Sequence, residues 1–166
     1  MAKTRVLPAL VLVALLGGCG SHGGSPKAQG TAQSTWTSKS FGIALQHPAG
    51  WKPAAGYLAR LQGRSGFVAL NALQGSGLTP RSAAQSQAQQ ALQPFGAHPR
   101  LQSMHVDGQP AYVILPSGAA PSAQAEAVVL YPKPQTISGV PYRYLVVTST
   151  SKDILPIVRS IRFVRR

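Results

Sequence analysis

Across its 166 residues the chain carries sixteen Lys and Arg against three acids, Asp107, Glu126 and Asp153, for a formal net charge of +13. Three carboxylates leave little room for paired acid/base catalysis, and a single cysteine, Cys19, excludes a disulfide framework or a multi-thiolate metal site. The length suits one domain with its own core once a leader and a linker are set aside.

Lys3 and Arg5 precede an apolar run from Val6 to Leu16, too short to cross a bilayer comfortably as a permanent helix. Leu16-Gly17-Gly18-Cys19 closes it, one hydrophobic and two small residues before the sole thiol. This is the layout of a secretory signal peptide. Its last four residues resemble a bacterial lipobox, where the cysteine is lipidated and becomes the new N-terminus. An uncleaved membrane anchor is disfavoured by length, and an ordinary signal with an incidental cysteine by the position of the only thiol. The chain therefore divides into a signal peptide at 1–18, a lipidated cysteine and flexible tether at 19–35, and a folded domain at 36–166.

On that reading Cys19 carries a diacylglyceryl group. Its two palmitate-class chains, contributing about 0.8 kcal/mol per buried methylene, hold the protein on a membrane durably. The expected place is the extracytoplasmic face of a cell membrane. Gly20, not an aspartate, follows the cysteine, which leaves the outer membrane open in a cell that has one. Residues 20–34, GSHGGSPKAQGTAQS, lack hydrophobic periodicity and cannot bury enough apolar surface to order themselves. They read as a tether, and His22 within them as a solvated loop histidine.

In the domain, Phe41, Ile43 and Leu45 alternate with small or polar residues, as in a half-buried strand, which His47-Pro48-Ala49-Gly50 ends before Trp51. Residues 57–62 and 67–74 are two further strands around the turn Gly63-Arg64-Ser65-Gly66. Thr79 caps a helix with Pro80 at its first position. Ala84, Ala88, Ala91, Leu92 and Phe95 continue it at helical spacing, and Gly96 ends it. Residues 100–106 and 109–115 flank Asp107-Gly108, a strong hairpin signal. Residues 125–131 and 142–150 form another strand pair, linked by a Pro-rich loop at 132–141. A short helix over 154–160, capped near Asp153, admits Pro156 in its first turn. Ile161 and Phe163 form a closing strand. Consecutive strands joined by short turns pair antiparallel, so the class is α+β.

Three segments carry a family resemblance. Phe41-Gly42-Ile43-Ala44-Leu45 leading into Pro48-Ala49-Gly50-Trp51 resembles the opening strand and Pro-x-x-Trp corner of PsbP-like domains, named for an extrinsic subunit of photosystem II. Val106-Asp107-Gly108-Gln109-Pro110-Ala111-Tyr112 resembles that family's central hairpin, and Ile157-Val158-Arg159-Ser160-Ile161-Arg162-Phe163 its closing helix and strand. The resemblance implies a twisted antiparallel sheet of about seven or eight strands with helices packed on it. It implies an accessory role in binding or assembly and supplies no catalytic residues. The corner itself reads as structural: Pro48 stops the strand, Gly50 permits the turn and Trp51 covers the core.

The residues offer few alternatives. Ser103, His105 and Asp107, spaced by two, would line one strand face in parallel, whereas a working triad converges from different elements. His47, His98 and His105 are not spaced to share a metal. Gly75-Ser76-Gly77 lacks the Gly-Lys-Ser/Thr ending of a phosphate loop. We therefore expect no catalytic set, no metal and no cofactor. The alternative is a small-ligand carrier or hydrolase with a pocket between sheet and helices, lined by Tyr112, Tyr131, Tyr142 or Tyr144.

Removing Lys3 and Arg5 with the leader leaves the mature chain near +11. Its positive charges are scattered except for a C-terminal cluster of Arg159, Arg162, Arg165 and Arg166, the candidate contact for an anionic partner. Outside a membrane such partners are anionic envelope polymers, acidic proteins or lipid headgroups. No nucleic-acid module is recognisable, so nucleic acid is not expected; the bland alternative is charge for solubility. Oligomeric state is open.

Overall fold

The structure, a computed structural model, describes residues 32–90, 94–118 and 123–164. The leader, Cys19 and the tether up to residue 31 lie outside the described residues. In chain order the elements are β1 (Gln33–Ser38), β2 (Ile43–Pro48), β3 (Lys52–Pro53), β4 (Arg60–Gly63), β5 (Gly66–Leu73), α1 (Pro80–Ala88), β6 (Arg100–Val106), β7 (Gln109–Leu115), β8 (Gln124–Ile137), β9 (Val140–Thr150), α2 (Ile154–Ser160) and β10 (Arg162–Phe163). They build a three-stranded sheet, β1-β2-β10, and a seven-stranded sheet, β3-β4-β5-β9-β8-β7-β6, with antiparallel pairing throughout. The α+β class stands, but two sheets replace the single one expected.

The large sheet is covered on both faces, so its central strands read as continuous apolar runs. Tyr144, Leu145, Val146 and Val147 of β9 are all buried. Leu145 and Val147 join Val113, Ala127 and Val129 in the main core, which also takes Ile43 and Leu45 of β2 and Ile154, Ile157 and Val158 of α2. Tyr144, Ile114 and Val128 belong to a second cluster with Ala83 and Ala84 of α1 and with Phe95. The layers are therefore α1, the large sheet, then α2 and the small sheet.

Local chemistry sets the boundaries. Asp107 and Gly108 turn the β6–β7 hairpin at φ 49° and 80°. Thr79 caps α1 in a reciprocal box: its Oγ1 accepts from Ser82 N–H at 3.1 Å, and Ser82 Oγ accepts from Thr79 N–H at 2.9 Å. The helix stops at Ala88 instead of reaching Phe95. Pro94 explains why: in a helix interior it would lack the bond to residue 90 and clash with that carbonyl. Phe95 is nonetheless 1% exposed, reaching the α1-side cluster from outside the helix; Ala91 and Leu92 lie outside the described residues.

The expected Pro-rich loop is instead strand. β8 runs to Ile137, Ser138 and Gly139 turn at φ 51° and 83°, and β9 begins at Val140. A register shift between Leu130 and Gln135 sets residues 131–134 opposite Arg143 alone. That bulge takes in Pro132 and Pro134, which have no N–H to give a ladder. At the other end of the domain, β1 begins at Gln33, ahead of the boundary expected at residue 36. Its sequence is polar because it is an edge strand, with only Trp36 packed on the core. β4 begins at Arg60, and Tyr57 and Leu58 before it are exposed. Asp153 precedes α2 but makes no side-chain cap; its carboxylate accepts from Thr150 Oγ1 at 2.5 Å.

Candidate functional site

Of the four C-terminal arginines, Arg159 sits in the last turn of α2 and Arg162 on β10, both exposed. Arg162 Nη1 donates to the carbonyls of Arg159 at 3.1 Å and Ile161 at 2.7 Å. That places a cation where a helix C-terminus favours one. Arg165 and Arg166 lie outside the described residues.

Ser103 and His105 are exposed on β6, while the Asp107 carboxylate is engaged elsewhere, accepting from Phe163 N–H at 2.9 Å. The histidines stand on separate elements. His47 is buried on β2, stacked on Trp51 with ring centroids 6.1 Å apart, whereas His98 precedes β6 and His105 is on it. Among the described residues no three His, Cys, Asp or Glu side chains are grouped to hold a metal. The four tyrosines do not line one pocket. Tyr112 and Tyr144 pack on the α1 side of the large sheet, and Tyr131 and Tyr142 on the other. Tyr144 spends its hydroxyl on the Leu78 carbonyl at 2.5 Å, and its ring lies against Gly75, which places the Gly75-Ser76-Gly77 loop in the packing of α1.

One recess among the described residues is not anticipated from the sequence. A cleft of about 580 Å³ opens between the β8 bulge and the end of β10, lined by Gly42, Tyr131, Pro132, Lys133, Pro134, Gln135, Phe163 and Val164. Tyr131 and Phe163 meet at 5.6 Å with their rings tilted by 58°. Tyr131 donates its hydroxyl hydrogen to the Phe41 carbonyl at 3.1 Å, and Gln135 Nε2 donates to the Ser40 carbonyl at 3.0 Å. Burial pushes the Tyr131 phenol above its ordinary range, so it stays a neutral donor. Two smaller recesses adjoin, one lined by Thr37 and Lys39, the other by Gln109 and Arg143. No carboxylate lines any of the three. The available signal was Pro132-Lys133-Pro134 between two strong strand patterns, which reads as a loop unless the strand is known to continue.

Glu126 has no local sequence signal that marks it as buried. It is 6% exposed, on the face of the large sheet that α1 packs against. Oε2 accepts from Thr148 Oγ1 at 3.3 Å, and Oε1 has no partner. Desolvation raises its pKa to about 7, against a smaller opposing effect of the Thr148 hydrogen bond. Near the far edge of the sheet, the Arg60 guanidinium lies 4.7 Å from the Tyr57 ring centroid and 4.3 Å from that of Phe67.

No protein-family model matches the chain, and no curated protein matches it. Among solved structures, the solution structure of cyanobacterial PsbP (CyanoP) from Synechocystis sp. PCC 6803 is similar at 13% identity. The match covers 89% of this chain and 98% of that one, with a TM-score of 0.49.

Proposed function

We propose that this chain is a lipid-anchored, extracytoplasmic accessory protein that binds an anionic partner through its basic surface and performs no catalysis. One observation carries the reading: the only cysteine stands directly after Leu16-Gly17-Gly18, at the end of a charged-then-apolar leader and ahead of a Gly- and Ser-rich stretch. Two acyl chains there give durable attachment, and about a dozen tether residues give the domain a reach of roughly 20 Å from its anchor. The excess of basic over acidic side chains supports an anionic partner. The separate engagements of Asp107, His47 and Tyr144 support a binding role over hydrolysis, because these groups are committed to hydrogen bonds or packing inside the fold.

Intact-mass measurement of the full chain, produced in a bacterial host and recovered from its membranes, tests this. The expected species has lost residues 1–18 and gained a diacylglyceryl group on Cys19, and Cys19→Ser leaves an unprocessed, unlipidated chain. An unmodified thiol on protein recovered from the cytosol would overturn the anchor.

A further inference from the structure

We propose that the cleft between the β8 bulge and the β10 end is a docking groove for an acidic segment of another protein, one that carries an apolar side chain. The proposal deepens the reading above, in which a basic surface meets an anionic partner, by assigning that role to one place and one class of partner.

The chemistry of the lining selects the occupant. Tyr131, Phe163 and Val164 with Pro132 and Pro134 give an apolar floor, and Val164 remains 46% exposed. Lys133 stands exposed on the rim, Lys39 lines the recess that shares Gly42 and Val164 with the cleft, and Arg143 lines the one that shares Tyr131 and Pro132. An apolar anchor seated in a pocket with opposite charges around it is how short segments gain both affinity and orientation. A space of about 580 Å³ holds a few side chains, so the occupant is a short segment and not a broad protein face.

The cleft is also held in shape. Tyr131 and Gln135 tie the bulge to the Phe41 and Ser40 carbonyls, and the Asp107 carboxylate holds the backbone of Phe163. Pro132 and Pro134 fix two backbone dihedrals. Little ordering remains to oppose binding.

The test uses the full chain in detergent micelles and a fluorescein-labelled peptide alternating Glu with Phe and Leu, followed by anisotropy. A Lys-for-Glu version of the peptide and vesicles of phosphatidylglycerol are run alongside. Lys133→Glu and Val164→Asp should each weaken binding of the acidic peptide about tenfold, and Arg64→Glu, an equal charge change at the exposed Gly63–Gly66 turn, less than twofold. Lys133 and Val164 are on the surface, and an unchanged melting temperature confirms that both variants fold. No binding of the acidic peptide, equal losses for Lys133→Glu and Arg64→Glu, or binding to the vesicles alone would each overturn the proposal. Failure of the anchor would appear separately, as an unmodified Cys19 in a chain that still binds the peptide.

Discussion

Asp107 accepts a hydrogen bond from the backbone N–H of Phe163 at 2.9 Å, fastening the turn of the β6–β7 hairpin to the last strand of the small sheet. The same residue holds φ at 49°, where a short polar side chain is tolerated and most others are strained. Asp107→Ala loses the acceptor and adds strain, so a loss of about 1–3 kcal/mol in urea unfolding is expected. Asp107→Asn retains an acceptor oxygen and should recover at least half. Equal destabilisation by both would show that the hydrogen bond is immaterial.

Glu126 makes stability depend on pH in an unusual direction. Its folded pKa, about 7, lies above the ordinary 4.5, so the folded state holds a proton that the unfolded chain has released. Stability therefore falls as pH rises from 4.5 to about 7 and levels off above, a loss of up to about 3 kcal/mol. Glu126→Gln removes this dependence, stabilising the protein at pH 8 by up to that amount and changing little at pH 4. Parallel pH profiles for the two proteins would refute this account.

α1 is a nine-residue helix whose burial rests mainly on Ala83 and Ala84, so its cap matters. Thr79→Ala removes the acceptor for Ser82 N–H and should cost about 1 kcal/mol. Because Tyr144 donates to the Leu78 carbonyl just before the cap, hydrogen exchange should rise in the 78–83 segment more than in α2. Uniform exchange would place the effect elsewhere.

These particulars show where sequence reading succeeds. Elements with local signals were legible: Thr79-Pro80 starts α1, Asp107-Gly108 turns the hairpin, and α2 spans residues 154–160 as expected. What escaped depends on distant partners. β1 is polar and becomes a strand only because β2 offers it an edge. Phe95 kept its burial without the helix that its spacing suggested. Pro132-Lys133-Pro134 becomes a cleft wall only because β8 resumes its pairing at Gln135, and Phe163 completes the floor from residues near the chain's end. A site assembled from the turn before β2, from β8 and from the end of β10 has no contiguous motif to betray it.

Gly63 separates steric from conformational demands on glycine. A Cβ there would stand 2.2 Å from Trp51 Cδ1 and 2.6 Å from Nε1, and no positive φ is involved. Gly50, in the corner before Trp51, has φ +86° with nothing within 4 Å of the Cβ position. Gly63→Ala must push the Trp51 ring off the core, at a cost of about 1–3 kcal/mol, whereas Gly50→Ala meets backbone strain alone, about 1–2 kcal/mol. The readouts differ in kind. In a Trp36→Phe background, where Trp51 is the only indole, Gly63→Ala should shift the emission to longer wavelength and Gly50→Ala should leave it in place. If Gly63→Ala lowers stability with the Trp51 emission unmoved, the indole is not what that glycine makes room for.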